Sequence, residues 1–329
     1  MFLPWFEIAN FHNVRRLVTQ YPHLLNGDSR RKYRGKIKLH GTCSGVEVTH
    51  DSVTPMSRSQ FLSPDEGIDN AGFGKWVIEH FHHFIDIDVA PDSTLVIYGE
   101  WCGKGIQSGV AASQLSGKIW AVFGAKLIYG DVIEFINEPQ RLSEIVSGIP
   151  DTYVLPWIEN SEIIIDWASS ADELERAIQP INDLVSHVEA CDPWILENFG
   201  IRGVGEGVVY YPVGNNVEDF KNLAFKAKGE KHKVVATKNA VVVSATVAKS
   251  CEDFAKLVLA PARLQQGIDA IGATTFEMSK IGNFLKWCHQ DVEKECGAEF
   301  DATQIDKKLL EKACSAYART WYIEQSKKV

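Results

Sequence analysis

The hydrophobic periodicity of this chain changes once along its 329 residues, and that change predicts two kinds of structure. As far as about residue 230, apolar residues alternate with polar ones or run in short blocks, which is typical of β-strands. The segments with this pattern are Lys36–Leu39, Gly45–Thr49, Thr94–Glu100, Ile119–Ile128, Gly207–Tyr211 and Leu223–Lys228. Two stretches, 69–84 and 171–190, have the period of a helix, and Ser169 and Ser170 favour a helix start before the second.

After about residue 250 the helical period predominates. Three helical segments are predicted, at 251–271, 276–296 and 303–324. A chain of this length favours two domains, and its 45% hydrophobic content suffices for a core in each. The sequence therefore predicts an α+β fold, in which residues 1–245 form antiparallel sheets with flanking helices and residues 246–329 form a small all-helical domain.

The composition argues against a membrane-spanning or disulfide-stabilised protein. There is no run of about 18 apolar residues, and the first residues, Met1–Phe6, lack the basic region of a signal peptide. The seven cysteines are an odd number, widely spaced and without a Cys-x-x-Cys pair, so we expect reduced thiols and no zinc site. These features predict a cytoplasmic protein, in the host cytoplasm if the chain is viral, with no membrane partner.

The distribution of charge leaves two interpretations open. The net charge of −9 argues against a protein that coats nucleic acid through bulk electrostatics. Two basic clusters occur nevertheless. The first contains Arg30, Arg31, Lys32, Arg34, Lys36 and Lys38, and the second contains Lys221, Lys226, Lys228, Lys231, Lys233 and Lys238. Such runs indicate either a solvated strand face or a surface that binds phosphates.

Lys38 stands at the end of a predicted strand, beside a turn at 41–44, and is a candidate nucleophile. A free lysine has a pKa near 10.4, so only about one in a thousand is uncharged at pH 7.4. Burial and neighbouring cations lower such a pKa. Lys226 and Lys228 are the candidate cations, because a period of two places both on one face of a strand. An uncharged Lys38 would attack the α-phosphate of a nucleotide and form a phosphoramidate.

Other residues offer the contacts that a bound nucleotide requires. Glu206 is a candidate ligand for Mg²⁺, directly or through water. Glu100 would accept hydrogen bonds from ribose hydroxyls, and Phe123 offers a flat face to adenine. Arg58 has a fork of donors for phosphate or ribose oxygens, and His40 is a candidate for orienting the pyrophosphate or bracing the loop.

The order of these residues resembles that in the lysyl-nucleotidyltransferases, the superfamily of polynucleotide ligases and capping enzymes. The similar segments are Lys38–Thr42, Tyr98–Trp101, Trp120–Phe123, Glu206–Val209 and Lys226–Lys228. Within that superfamily the chain is most similar to the RNA ligase 2 family of the bacteriophage T4 type. The likeness extends to Gly99–Gln107, Ser279–Gly282 and Ile305–Leu310.

The resemblance implies a role for each matching residue. Lys38 would be the adenylylated nucleophile and Glu206 the metal-linked carboxylate. The implied catalytic residues are Lys38, His40, Glu206, Lys226 and Lys228, and the implied ATP-binding residues also include Leu39, Arg58, Glu100 and Phe123. The implied cofactors are ATP and Mg²⁺, with Mn²⁺ as the alternative.

One position departs from the family pattern. The T4-type motif continues with asparagine after Gly-Thr, whereas this chain has Cys43. A thiol is a weaker hydrogen-bond donor and acceptor than a carboxamide. The departure therefore concerns how a 5′-phosphate or a metal is held at this point, and Ser44 is the alternative candidate for that task.

The resemblance implies ATP-dependent RNA ligation in three steps: adenylylation of Lys38, transfer of AMP to a 5′-phosphate, and attack by a 3′-OH. The adenylyltransferase would be residues 1–245, and residues 246–329 would engage the RNA, a nicked duplex or an RNA-containing hybrid. RNA and ATP are the implied partners, and no protein partner is evident. A DNA ligase or capping enzyme is one alternative, disfavoured because the tail is helical and not an OB-type barrel. An inactive RNA-binding or repair scaffold is another, and the complete catalytic set argues against it.

Overall fold

The chain forms two compact units, Met1–Ala227 and Lys228–Val329. The structure is a computed structural model that describes residues 2–214, 217–229, 251–271, 276–295 and 307–327. The domain boundary expected between residues 245 and 246 lies outside the described residues and stays a prediction.

Two β-sheets build the first unit. Their strands are β1 (Ala9–Asn10), β2 (Arg30–Lys38), β3 (Thr42–Val48), β4 (Val53–Ser57), β5 (Ser93–Gly103), β6 (Lys118–Tyr129), β7 (Val132–Ile136), β8 (Thr152–Val154), β9 (Ile163–Asp166), β10 (Gly207–Pro212) and β11 (Phe225–Lys228). The five-stranded sheet has the order β1-β11-β10-β2-β9, and the six-stranded sheet has the order β4-β3-β5-β6-β7 with β8 paired to β6. The long strands β2, β3, β5, β6 and β10 pair antiparallel with one another or with β4, β7 and β9, whereas the short strands β1 and β8 pair parallel with β11 and β6.

Short helices flank the sheets, as the α+β prediction requires. They are α1 (Phe11–Gln20), α2 (Phe73–Glu79), α3 (Phe81–Ile85), α4 (Pro139–Ile145), α5 (Ala171–Ala177), α6 (Gln179–Ala190), α7 (Pro193–Phe199) and α8 (Val217–Leu223). The helix predicted over 69–84 begins only at Phe73 and is interrupted at His80. The helix predicted over 171–190 is also two helices, because Pro180 lacks the N–H that a continuous helix uses. Ser170 caps α5 as expected, through a capping box with Glu173.

The five-stranded sheet has two apolar faces, because side chains alternate along β2 and β10. One face packs on α1 and α6 through a buried cluster that includes Tyr33, Ile37, Leu39, Val208 and Tyr210. The other face belongs to a second cluster, which joins it to the six-stranded sheet and includes Trp5, Met56, Val96, Tyr98, Val209 and Tyr211. The two sheets therefore face each other across this second cluster. Lys38 projects on the same side, since its neighbours Ile37 and Leu39 point into the first cluster.

The described part of the second unit is helical, as predicted. Its helices are α9 (Cys251–Val258), α10 (Pro261–Ala270), α11 (Ile281–Glu295) and α12 (Lys307–Ser326). They enclose a separate core that includes Phe254, Leu264, Phe284, Leu310 and Tyr322. Pro261 starts α10 and divides the single helix expected over 251–271. None of the helices among the described residues combines the length and the apolar character needed to cross a bilayer.

Candidate active site around Lys38

The register of two strands brings Lys38 and Glu206 together. Lys38 is the last residue of β2 and pairs with Gly207, the first residue of β10, so Glu206 stands directly before that pair. The Lys38 Nζ donates to Glu206 Oε2 at 2.6 Å. The Glu206 side chain is 2% exposed and that of Lys38 is 22% exposed. A buried carboxylate is costly unless a cation or hydrogen-bond donors compensate it, and Lys38 supplies both.

His40 approaches the same carboxylate oxygen. Its Nδ1 lies 3.5 Å from Glu206 Oε2, and its side chain is 12% exposed. The residue between them, Leu39, points the other way and is buried in the first cluster. Lys38 and His40 thus converge on one oxygen atom, while Leu39 fixes the backbone that joins them. The structure brings together three residues of the predicted catalytic set.

Glu100 holds the turn that follows His40. Its Oε1 accepts a hydrogen bond from the Gly41 N–H at 2.9 Å. Burial raises the pKa of Glu100 and the charge of Glu206 adds to this, whereas the charge of Lys38 and the Gly41 hydrogen bond oppose it. The sequence predicts that Glu100 contacts a ribose, and the structure shows that one of its oxygens is engaged by the backbone of the Lys38 loop.

Gly41 cannot be replaced without moving this turn. A Cβ atom at residue 41 would lie 2.4 Å from Trp101 O and 2.7 Å from Cys102 Cβ. The carbonyl of Gly41 accepts a hydrogen bond from Gln107 Nε2 at 3.2 Å. Sequence reasoning did not single out Gln107 as a site residue, although it ends the Gly99–Gln107 segment on which the resemblance partly rests.

Cys43 and Arg58 lie at one end of the six-stranded sheet. Cys43 pairs with Glu100 on β5. Its neighbour Ser44 pairs with Ser57, the last residue of β4, and Arg58 follows directly after that strand. Burial raises the pKa of the Cys43 thiol to about 12, and the charge of Glu100 contributes, so the thiol is neutral. The Arg58 side chain is 55% exposed and its guanidinium lies 3.9 Å from a Glu7 carboxylate oxygen.

Phe123 lies in β6 of the six-stranded sheet, and its side chain packs against both the first and the second cluster. The ring of Trp5 meets it edge-on, with centroids 5.4 Å apart. Its carbonyl accepts a hydrogen bond from Lys36 Nζ at 3.1 Å. Lys36 is 1% exposed, donates also to Asn137 O at 2.7 Å, and lies 4.6 Å from the ring centre of Trp157. Burial lowers the pKa of Lys36 to about 7.

Lys226 and Lys228 lie in β11, which is next to β10 in the five-stranded sheet. Phe225 is buried in the first cluster and Ala227 packs against it, so the alternating lysines project from the opposite face. Both lysine side chains are half-buried. Lys226 therefore projects from the same face of the sheet as Lys38, as the period of two predicts.

The first basic cluster is largely neutralised by ion pairs. Arg31 Nε lies 3.0 Å from Asp219 Oδ2, and Lys32 Nζ lies 2.6 Å from Glu162 Oε2. Arg34 lies 3.4 Å from the other oxygen of Glu162. These contacts favour an ion-paired strand face over an open phosphate-binding surface. In the second cluster, residues 231, 233 and 238 lie outside the described residues.

The carboxylates fit a divalent ion that arrives with a nucleotide. Across the described ranges, no group of three or more His, Cys, Asp or Glu side chains is arranged to hold a metal ion. Glu206 and Glu100 are near enough for their charges to interact, which gives one or two carboxylate donors. Mg²⁺ is often held by one or two carboxylates together with substrate phosphates. The donor set suits that type of site and not a self-contained metal cage.

Comparison with known proteins identifies a family. No curated protein matches the sequence. Solved structures that match include Naegleria gruberi RNA ligase as an apo mutant (14% identity, 68% of this chain, 55% of that chain, TM-score 0.43), a mutant with ATP and Mn (16%, 69%, 56%, 0.42) and the form with PPi (15%, 69%, 56%, 0.43). This chain thus spans little more than half the length of those proteins. The sequence model of the RNA ligase family matches residues 31–228, which is more than half of the chain. The protein belongs to the RNA ligase family.

Proposed function

We propose that the protein is an ATP-dependent RNA ligase of the RNA ligase 2 (T4) type that works through a Lys38–AMP intermediate. The observation that carries the proposal is the convergence of Lys38 Nζ and His40 Nδ1 on Glu206 Oε2. The Glu206 side chain is 2% exposed, so Lys38 is not part of an ordinary surface ion pair. It shares a buried carboxylate with a second nitrogen group. The family membership supplies the reaction class.

In the first step, Lys38 Nζ gives up one proton to become an uncharged amine, attacks the α-phosphorus of ATP, and loses a second proton as the phosphoramidate forms. The N–P bond forms as the bond from phosphorus to the pyrophosphate oxygen breaks, and pyrophosphate leaves. Glu206 Oε2 is within hydrogen-bonding distance of the Lys38 amine, at 2.6 Å, and is placed to accept its proton. Lys226 and Lys228 carry positive charge that disfavours the ammonium form of Lys38 and stabilises negative charge on the α-phosphate.

The other residues bind the nucleotide. Phe123 stacks on the adenine, and the buried Leu39 holds its own backbone beside the base. Arg58, exposed at the end of the six-stranded sheet, donates to phosphate or ribose oxygens. Glu100 accepts from the ribose hydroxyls, and Glu206 would hold Mg²⁺, or Mn²⁺ as the alternative, directly or through water; the ion would neutralise phosphate charge when bound.

The second and third steps act on RNA. AMP passes from Lys38 to the 5′-phosphate of one strand, and the 3′-OH of the other strand attacks that phosphate and releases AMP. We propose a nicked duplex or an RNA-containing hybrid as substrate, bound through phosphates and 2′-hydroxyls. Residues 246–329 would position it, with Lys280, Lys286 and Trp287 as candidate contacts. We place the protein in the cytoplasm, which the wide spacing of its cysteines in the sequence favours.

Incubation with α-labelled ATP and Mg²⁺, followed by a denaturing gel, tests the proposal. The wild-type protein should acquire a label that is stable to alkali and labile to acid, as a phosphoramidate is. Lys38→Ala should abolish the label. Lys104→Ala is the matched control, because Lys104 is an exposed lysine that belongs to none of the predicted catalytic or binding residues. Lys36 is unsuitable as a control, since it is buried and holds two backbone carbonyls.

The alternatives give different results in the labelling assay or in a nick-sealing assay. An inactive scaffold would bind RNA and acquire no label. A capping-type enzyme would be labelled by GTP in preference to ATP, and a DNA ligase would seal nicked DNA in preference to nicked RNA. Strong labelling of Lys38→Ala would refute the assignment of the nucleophile.

A further inference from the structure

Asn70 contacts the chain immediately after the Lys38 loop. It lies between the short 3₁₀ turn Pro64–Glu66 and α2. The Thr42 hydroxyl donates to Asn70 Oδ1 at 3.0 Å. Asn70 Nδ2 donates to the Cys43 carbonyl at 3.3 Å. The oxygen and the nitrogen of the Asn70 carboxamide therefore each bind one of two consecutive residues in another segment of the chain.

The segment that carries Asn70 is itself firmly held. Asp69 Oδ1 accepts from the N–H groups of Asn70 and Gly74, each at 2.7 Å. The Ala71 carbonyl accepts from Trp101 Nε1 at 3.0 Å and from Lys118 Nζ at 2.8 Å. Ala71 has φ of +50°, a left-handed conformation that residues other than glycine adopt infrequently. Such a conformation persists where the surroundings enforce it, and it is often found beside functional sites.

The contacts of Asn70 act on the turn that carries the reactive groups. Thr42 and Cys43 are the first residues of β3, and Cys43 pairs with Glu100. Glu100 in turn holds the Gly41 N–H. Asn70 and Glu100 therefore fix residues 41–43 from two sides. Because the other end of this turn is Lys38, these contacts limit how far Nζ can move relative to Glu206.

The side chain of Cys43 does not perform this task. It packs at the margin of the second cluster. A neutral thiol is a weak hydrogen-bond donor and a weak acceptor. At the point where the chain has cysteine and the T4-type motif has asparagine, a carboxamide from residue 70 thus reaches the backbone of the same residue.

We propose that Asn70 is a positioning residue of the Lys38 loop, because its carboxamide holds residues 42 and 43 from a separate segment. This inference rests on the proposed function, since its consequence is the rate at which Lys38 attacks ATP. Loss of the carboxamide would let residues 41–43 shift without removing any group that contacts ATP. A displacement of about 1 Å at a reacting atom lowers a rate by on the order of 100-fold.

Single-turnover labelling of Asn70→Ala and Asn70→Asp tests the proposal. We expect the maximal labelling rate to fall about 10- to 100-fold in Asn70→Ala, with the half-saturating ATP concentration within about twofold of wild type. Asn70→Asp keeps the acceptor for Thr42 and loses the donor to Cys43, so it should also be slow.

Asn198→Ala is the matched control. Asn198 Nδ2 also donates to a backbone carbonyl, that of Trp194, at 2.8 Å, and lies in α7. Its labelling rate should equal that of wild type. Thermal melts of all variants accompany the kinetics.

The outcomes separate the two proposals. A wild-type rate for Asn70→Ala, with Lys38→Ala unlabelled, would overturn the role of Asn70 and leave the proposed function intact. Loss of labelling together with a much lower melting temperature would overturn it too, since Asn70 would then serve only the fold. If wild-type protein acquires no label at all, both proposals fail.

Discussion

Lys36 offers a direct test of the electrostatics between the two sheets. It is 1% exposed, and burial lowers its pKa from 10.5 to about 7. Between these two pH values the unfolded chain binds a proton at residue 36 that the folded chain does not. The free energy of unfolding therefore rises with pH over this window, with a slope of up to about 1.4 kcal/mol per pH unit for one proton. The penalty is fully present below pH 7 and has vanished above pH 10.5.

Lys36→Met removes this titration and keeps the unbranched shape of the side chain. Summed over about three pH units, the lost dependence amounts to roughly 4 kcal/mol. The variant also leaves the carbonyls of Phe123 and Asn137 without their Lys36 hydrogen bonds, which costs about 1–3 kcal/mol for each. That cost shifts the stability by a constant. The pH slope of the difference between wild type and variant isolates the lysine.

Urea unfolding followed by circular dichroism at pH 7, 8 and 9 measures this slope. Circular dichroism is preferable to fluorescence because Lys36 lies over the ring of Trp157. We expect the unfolding free energy of wild type minus that of Lys36→Met to rise by about 1 kcal/mol or more per pH unit. A difference that does not change with pH would refute the reasoning. It would show that the two carbonyls and the ring of Trp157 stabilise the Lys36 ammonium group as well as water does, so that folding does not lower the pKa of Lys36.

Three further predictions concern the site. Gly41→Ala should lower Lys38 labelling about 100-fold, because its Cβ would lie 2.4 Å from Trp101 O, whereas Gly117→Ala, with nothing within 4 Å, should label normally. Phe123→Ala should raise the half-saturating ATP concentration about 10- to 100-fold, the equivalent of a stacking energy of roughly 1–3 kcal/mol, and Phe123→Tyr should restore the wild-type value. If a titration of labelling gives an unchanged concentration for Phe123→Ala, the adenine binds elsewhere. Glu206→Gln should reduce labelling by on the order of 100-fold or more, since the glutamine cannot accept the Lys38 proton, and labelling within about threefold of wild type would refute that role.

The position of Lys38 at the end of a strand is largely predictable from the sequence. Lys38 and Glu206 stand at the ends of segments that alternate strongly, and such ends are where strands meet turns. The same alternation predicts that Lys226 and Lys228 share a face, because it needs only the local backbone. The breaks in the long helices are local as well, at Pro180 and Pro261.

The contacts made by the basic cluster are not predictable in this way. Arg31 and Lys32 pair with Asp219 and Glu162, which are distant in the sequence and come close only when β9 and α8 pack beside β2. A run of positive charge therefore resembles a phosphate-binding surface until its partners are known. Lys36 shows the same effect, since its burial depends on the opposing sheet.

The role of Glu100 shows a further limit. The sequence places the Glu100 carboxylate at the end of a predicted strand, and its expected partner is a ribose. The structure engages one of its oxygens with the Gly41 N–H, a contact set by the register of β3 on β5. A carboxylate has two oxygens and several acceptor sites, so holding the loop and accepting from a ribose hydroxyl are compatible. The chemistry of the ligand predicts the contact with a ribose hydroxyl, whereas the contact with the Gly41 N–H depends on the strand register alone.

The charges around Glu206 impose a condition on the reaction proposed above. In the structure the buried carboxylate of Glu206 is compensated by the Lys38 ammonium. A phosphoramidate at Lys38 carries no such positive charge, so once the proton that Glu206 accepts has passed on to solvent, a carboxylate that is 2% exposed has lost the cation beside it. An uncompensated buried charge costs several kcal/mol. His40 Nδ1, at 3.5 Å from the same oxygen, is placed to supply a proton or a hydrogen bond there. The convergence of a lysine and a histidine on one oxygen thus serves both sides of the first step, because Lys38 compensates the carboxylate before the attack and His40 is in place to do so after it.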